Sequence, residues 1–269
     1  MTIPTDTIDK LEETYRNLSE LGATLTEEQW KTPSDLPGWT VQDNLSHLIG
    51  TESTMQGLAR GDHRAPEVDY VKNPIGRMNE DDVDIRRSRS GAEVLAEWND
   101  VVAMRLATLR SADDAYFEAP AMTPTGPGTV ADFLHIRVLD CWSHEQDIRR
   151  ALGLPGSQDN ASATHTIDRL VRTLPIVVGK RAGTAEGDAV TIHLTGPIER
   201  SLTYEVIEGR ATQVAQPSKP AVATISFDSD AFATLALGRR TATQMAERIA
   251  IEGDRDLGQR VVDQLNMMI

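Results

Sequence analysis

Apolar residues recur at three- and four-residue spacings through the first 150 or so positions, and the period shortens to two further on. Ile8, Leu11, Tyr15, Leu18 and Leu21 fall on one face of an amphipathic helix over residues 5–23. Pro37 and Gly38 make a turn, Thr40 is an N-cap, and Asp43 three residues later completes a capping box. A second helix therefore starts at Val41 and is predicted to run to about Arg60. Residues 61–74, with Gly61, Pro66, Pro74 and several charges, read as a long loop, a site rim or a lid. Helices are predicted over about 75–88 and 92–109, the second with Val94, Leu95, Trp98, Val101, Val102, Leu106 and Leu109 as its core face. Pro120, Pro124 and Pro127 punctuate a loop over 111–128. Thr129 or a neighbour then opens a helix that stops at Gly153, with Pro155 just beyond. Four long helices describe a bundle, and bundles build metal sites from facing helices.

Residues 154–162, rich in Gly, Pro and polar side chains, mark the domain boundary. A helix over about 163–178 precedes three or more short strands, at 189–194, 201–207 and 221–227. Alternation is visible in Val190, Ile192, Leu194 and again in Leu202, Tyr204, Val206. Helices over 229–237 and 256–267 complete an α+β layer.

Composition fits this division. A chain of 269 residues favours two domains, and 39% hydrophobic with 25% charged residues is ordinary for a globular protein. A formal net charge of −14 repels phosphate backbones and anionic headgroups, so neither nucleic acid nor membrane is expected as a partner. Arg86, Arg87 and Arg89 are the densest basic cluster, and the acidic run Glu80–Asp84 before them makes a solvated helix face the expected reading. No apolar run reaches the length of a membrane span, residues 1–10 carry no signal-peptide apolar region, and there is one cysteine, Cys141. A cytoplasmic protein is expected.

The segment Arg137–Asp147 places ionisable groups along an otherwise apolar stripe. Asp140 and His144 stand one turn apart, roughly 40° around the axis. A carboxylate and an imidazole in such surroundings need a partner, and two readings fit: a structural His–Asp pair, or a shared metal ion. His47 sits two turns into the helix that begins at Val41, where it reads as a satisfied core residue or as a ligand. Arg137 and Asp147 flank the pair at helical spacing and could bond the Asp140 oxygens and the second nitrogen of His144, or form surface salt bridges. Cys141 points about 100° away from Asp140, and His135 lies about 180° round from His144; both are turned out of the site. His63, His165 and His193 have no partner at recognisable spacing and read as surface or packing residues.

Pro37-Gly38-Trp39-Thr40 followed by His47, then a carboxylate four residues before a His in the run Trp142 to Gly153, resembles the mycothiol-dependent maleylpyruvate isomerase family of actinobacteria, a branch of the DinB-like metalloenzymes. The last third, from Asp228 to Arg239 and through Glu252-Gly253-Asp254 to a final helix, resembles the sterol-carrier-like domain that closes many members. Together these cover nearly the whole chain. The resemblance implies an α+β two-domain protein: a DinB-like four-helix bundle over residues 1–156, then a smaller sterol-carrier-like domain over 162–269. It further implies that His47, Asp140 and His144 hold the metal. One position departs from the founding isomerase type, which has Glu where this chain has Asp140.

Three protein ligands leave a position open for water or substrate, which points to catalysis rather than to a structural metal. Zn²⁺ suits the set first, with Fe²⁺, Ni²⁺ and Mn²⁺ as alternatives. By resemblance the reacting thiol is mycothiol, a cosubstrate whose thiolate the metal favours. The expected reaction is isomerisation or S-conjugation of a small electrophile. For a dicarboxylate substrate Arg77 and Arg239 are the candidate cationic residues, against the plainer reading of each as an ordinary surface arginine. A metal-dependent hydrolase of a conjugate and a non-catalytic small-ligand binder are the alternatives. A monomer or homodimer is expected.

Overall fold

The computed structural model describes residues 3–59 and 61–267, and the chain divides between Ser157 and Gln158 into two compact units. In the first unit, α1 (Thr5–Gly22), a short α2 (Glu27–Trp30), α3 (Val41–Met55), α4 (Pro74–Asp84), α5 (Gly91–Ser111) and a short α6 (Asp114–Glu118) lead into a hairpin of β1 (Pro120–Thr123) and β2 (Gly126–Thr129), and then α7 (Val130–Leu152). Helix α1 packs on α5 and α7, and α3 packs on α4, α5 and α7. The interior between them is filled by Leu11, Leu18, Leu45, Leu48, Trp98 and Val138, with Tyr15 edge-on to Trp98 at 5.3 Å. Burial of this apolar stripe supplies most of the helical stability.

The helix starts follow the capping chemistry in the sequence. Thr40 with Asp43 and Thr129 with Asp132 are both complete capping boxes, and α7 ends on Gly153 in the left-handed conformation. Three boundaries differ from expectation. Helix α3 stops at Met55 because Gly57 turns left-handed, and Arg60 lies outside the described residues. Helix α4 ends at Asp84, four residues early, in a run of turns where Arg86 and Arg87 fold back onto α5 and α3. The 111–128 segment is not an open loop: a two-residue turn at Pro124-Thr125 closes the β1–β2 hairpin, and Gly126, the first residue of β2, takes a φ of +114°.

The second unit holds α8 (Ala161–Val171), a π-helical turn at Ile176–Arg181, and a five-stranded sheet ordered β5-β4-β3-β6-β7. Its strands are β3 (Ala189–Thr195), β4 (Arg200–Ile207), β5 (Arg210–Val214), β6 (Ala223–Asp228) and β7 (Ile249–Gly253). Only β3 and β6 run parallel. The register sets Ile192 beside both Leu202 and Ile225, so one face is continuously apolar. Helix α9 (Ser229–Ala236) buries Phe232 and Leu235, and α10 (Arg255–Asp263) packs on β6 and β7. The helix expected over 163–178 ends at Val171 and gives way to a turn at residues 172–173, ahead of Pro175, which has no N–H to offer the Val171 carbonyl; β5 and β7 add to the three strands read from alternation. Among the described residues, no helix is long and apolar enough to cross a membrane.

Candidate metal centre

Helices α3 and α7 pack face to face, and their facing turns bring His47, Asp140 and His144 together. One ligand-capable atom from each lies within 4.8 Å of the others. His47 Nε2 is 3.3 Å from Asp140 Oδ2, and His144 Nε2 is 3.7 Å from Asp140 Oδ1. Ligands about 2.0–2.1 Å from a tetrahedral zinc stand about 3.3–3.5 Å from one another, so the two distances to Asp140 are close to those of a filled site. Both imidazoles are buried, while the Asp140 side chain keeps 21% of its exposure, so the cluster is reached from the Asp140 side.

The surrounding bonds prepare these groups as ligands. His144 Nδ1 lies 2.7 Å from Asn44 Oδ1 and 3.4 Å from Asp147 Oδ2; with only acceptors around it, Nδ1 carries the proton and Nε2 presents its lone pair to the cluster. Asn44 is itself fixed by donating to Ser34 Oγ and to the Thr40 carbonyl. Burial pushes the Asp140 carboxyl up, but the adjacent Arg137 guanidinium and the His47 hydrogen bond outweigh it and hold the group well below the usual carboxylate range. Burial also lowers the His47 pKa against the pull of Asp140, so this imidazole is neutral and can ligate. Arg137 is in turn held by Glu52 at 2.8 Å, and Glu52 lies 3.4 Å from Arg105, so one buried carboxylate answers two buried guanidiniums. A buried charge needs such a partner.

Several sequence readings change here. Arg137 does bond Asp140, but the nearer partner of His144 Nδ1 is Asn44 rather than Asp147. Nothing in sequence spacing pairs α3 with α7, so spacing does not reveal Asn44 and Glu52. Arg77 is engaged elsewhere: it donates to Asp81 and to the carbonyls of Ala65 and Pro66, pinning the 61–73 loop. It lines a separate cleft of about 650 Å³ that none of the three cluster residues lines. Arg239 belongs to the second unit, where it donates to the Leu237 carbonyl. The Arg86–Arg89 run is not a solvated face, because Arg86 and Arg89 pair with Glu97 and Arg87 with Asp43, Glu80 and Asp84. His63, read as partnerless, contacts Asp84 at 2.8 Å. Cys141 is wholly buried beside Arg137, and burial pushes its thiol up, which leaves it protonated and inert. His135 faces Thr7 on α1, away from the cluster.

Trp39 completes the centre. Its ring centroid lies 5.5 Å from that of His47 and 6.0 Å from that of His144, and the two imidazole centroids are 4.8 Å apart.

The profile of the mycothiol maleylpyruvate isomerase N-terminal domain matches residues 11–149, more than half of the chain and every residue of the cluster. The chain belongs to this family. The SCP-2 sterol transfer family matches residues 177–266, within the second unit. Two crystal structures of mycothiol-dependent maleylpyruvate isomerase share the fold: one has a TM-score of 0.59, and one of a histidine-to-alanine mutant has 0.58. Each is 14% identical, covering 94% of this chain and 93% of its own. Two uncharacterised proteins of Mycobacterium tuberculosis, from strains H37Rv and CDC 1551, are each 25% identical over 157 residues. That match takes in 55% of this chain and 58% of theirs, so the chain spans little more than half the length of these curated relatives.

Proposed function

We propose that the chain is a metal-dependent enzyme that uses mycothiol to isomerise or S-conjugate a small electrophile, at a divalent-metal site formed by His47, Asp140 and His144. The observation that carries this reading is the convergence of two imidazoles and one ionised carboxylate at ligand spacing, in a bundle of this family. Zn²⁺ is the metal proposed first, ahead of Fe²⁺, Ni²⁺ and Mn²⁺, because the set is two nitrogens and one oxygen with room for a further ligand. When bound, the metal supplies positive charge that favours the ionised, nucleophilic form of a thiol.

The chain's own residues have separable tasks. Asn44 holds His144 in the ligating tautomer. Arg137, backed by Glu52, keeps Asp140 ionised and aimed. The inertness of Cys141 supports an external thiol as nucleophile. In the isomerising form of the reaction, the thiolate adds to the double bond of an enedioate, the resulting single bond rotates, and the thiolate leaves. In the conjugating form it stays. A dicarboxylate substrate would call on Arg77 and Arg239, and Arg77 would first have to release the carbonyls of the 61–73 loop. The two units are proposed to act as a catalytic bundle, residues 1–156, and an attached sterol-carrier-like domain, residues 162–269.

The test is a thiol screen on zinc-reconstituted protein, with mycothiol, glutathione and cysteine each offered against maleylpyruvate and simple conjugated electrophiles. Turnover is expected with mycothiol alone, kept by Cys141→Ala and lost by His47→Ala. Turnover with no added thiol, or its loss in Cys141→Ala at intact metal content, would favour a hydrolase or a protein nucleophile instead.

A further inference from the structure

The Pro-Gly-Trp-Thr turn lies beside the cluster, yet the chemistry above makes no use of its tryptophan. Three observations give Trp39 a task. First, His47 lacks the fastening that a ligating imidazole normally has. Its Nδ1 is buried with no partner among the described residues, whereas His144 Nδ1 is fixed by Asn44. Ligating histidines ordinarily bond a second acceptor through the far nitrogen, which sets ring orientation. Second, Trp39 packs against both rings, tilted 41° to His47 and near parallel to His144 at 28°. Packing is thus placed to restrain the His47 ring where a hydrogen bond does not. Third, the indole is itself aimed. Trp39 Nε1 donates to Glu80 Oε2 at 3.0 Å, while Glu80 Oε1 accepts from Tyr70 Oη at 2.8 Å and pairs with Arg87 at 2.7 Å.

Glu80 is almost wholly buried, and a carboxylate there is retained at a desolvation cost that its three donors must offset. Arg87 also reaches Asp43, the capping residue of α3, so the same arginine ties Glu80 to the helix that carries His47. The turn is shaped for this assembly. Gly38 has a φ of +74°, and a Cβ there would stand 2.4 Å from the Tyr70 ring, so only glycine lets Tyr70 lie against the turn and reach Glu80.

We propose that Trp39 is a positioning residue for the metal centre: its indole clamps the two imidazoles in their convergent pose, and Glu80 fixes the indole. This rests on the metal reading above and adds residues that ligate nothing. Trp39→Phe keeps a ring without the N–H, Glu80→Ala removes the acceptor, and the double variant asks whether Glu80 acts through the indole.

Two readouts separate the possibilities: Zn²⁺ affinity by competition with a chromophoric chelator, and the rate at which diethyl pyrocarbonate modifies His47 in metal-free protein, mapped by peptide mass spectrometry. Each single variant is expected to keep one-to-one zinc stoichiometry, to lose about tenfold in affinity, and to expose His47 to faster modification; the double variant is expected to be no weaker than the weaker single. Affinities and rates all within about twofold of wild type overturn the proposal, as do losses that simply add in the double variant. A wild-type protein that takes up no zinc contradicts the metal reading instead, and the modification rates then decide the positioning role alone. If Glu80→Ala does not fold for want of a partner to Arg87, Trp39→Phe decides the question, since it leaves Glu80, Tyr70 and Arg87 paired.

Discussion

Asp140 stays ionised inside a helix pair because Arg137 sits one turn before it on the same helix, and Arg137 tolerates its own burial because Glu52 answers from α3. The i, i+3 and i, i+4 relations among Arg137, Asp140 and His144 are open to sequence reasoning, and spacing alone suggests the pairing of Arg137 with Asp140. What joins these residues to α3 is not, because no local period links Asn44, His47 or Glu52 to a helix nearly a hundred residues on. Family resemblance supplies His47; nothing supplies Asn44 or Glu52. Titration provides a test at this scale. Burial lowers the folded-state pKa of His47 below the ordinary value near about 6.5, so in that window the unfolded chain binds a proton that the folded chain refuses. The stability contribution is present above that ordinary value and is lost as pH falls through the lowered one. Metal-free protein should therefore melt at progressively lower temperature between about pH 7 and pH 5, and His47→Gln should flatten that slope. Parallel slopes for the two proteins in calorimetric melts would show that His47 is not held neutral by burial.

Elements are legible where a cap or a period marks them. Thr40 with Asp43, Thr129 with Asp132 and the stop at Gly153 all stand where capping chemistry puts them. The β1–β2 hairpin is hidden because its strands are only four residues each and carry Pro120 and Pro127, which read as loop punctuation. The Arg86–Arg89 run misleads for a related reason: charge in sequence does not reveal that Glu97, Asp43 and Glu80 come from other turns to meet it. The turn before α3 gives the sharpest test of an element. Gly38→Ala both strains a left-handed position and drives a methyl into Tyr70, so urea unfolding should register a loss of about 1–3 kcal/mol. Gly57→Ala, equally left-handed at +72° but with open space around it, should cost only the backbone share, about 1 kcal/mol. Equal losses at the two positions would mean that the Tyr70 contact carries no weight.

Across the whole molecule, the shift from a period near four to a period of two foretells a helical unit followed by a sheet-containing one, and the fold matches that α+β description. The number of strands and the parallel β3–β6 pair are not legible, since pairing across the sheet joins residues about thirty positions apart. The segment before the division is tied to the first unit: Trp142 Nε1 donates to the Ser157 carbonyl and Gln146 to that of Gly156. Residues 158–160 then lead across the division to the start of α8 at Ala161, so limited proteolysis should cut at this junction first. Early cleavage scattered through 163–194 would count against two separable folding units.

The central claim is that His47, Asp140 and His144 hold one divalent ion. Calorimetric titration of metal-free protein with Zn²⁺ tests it most directly: one site per chain is expected in the wild type and in Cys141→Ala, and none in the His47→Ala, Asp140→Ala, His144→Ala triple variant with its helical circular dichroism intact. Stoichiometric zinc retained by that triple variant would contradict the account.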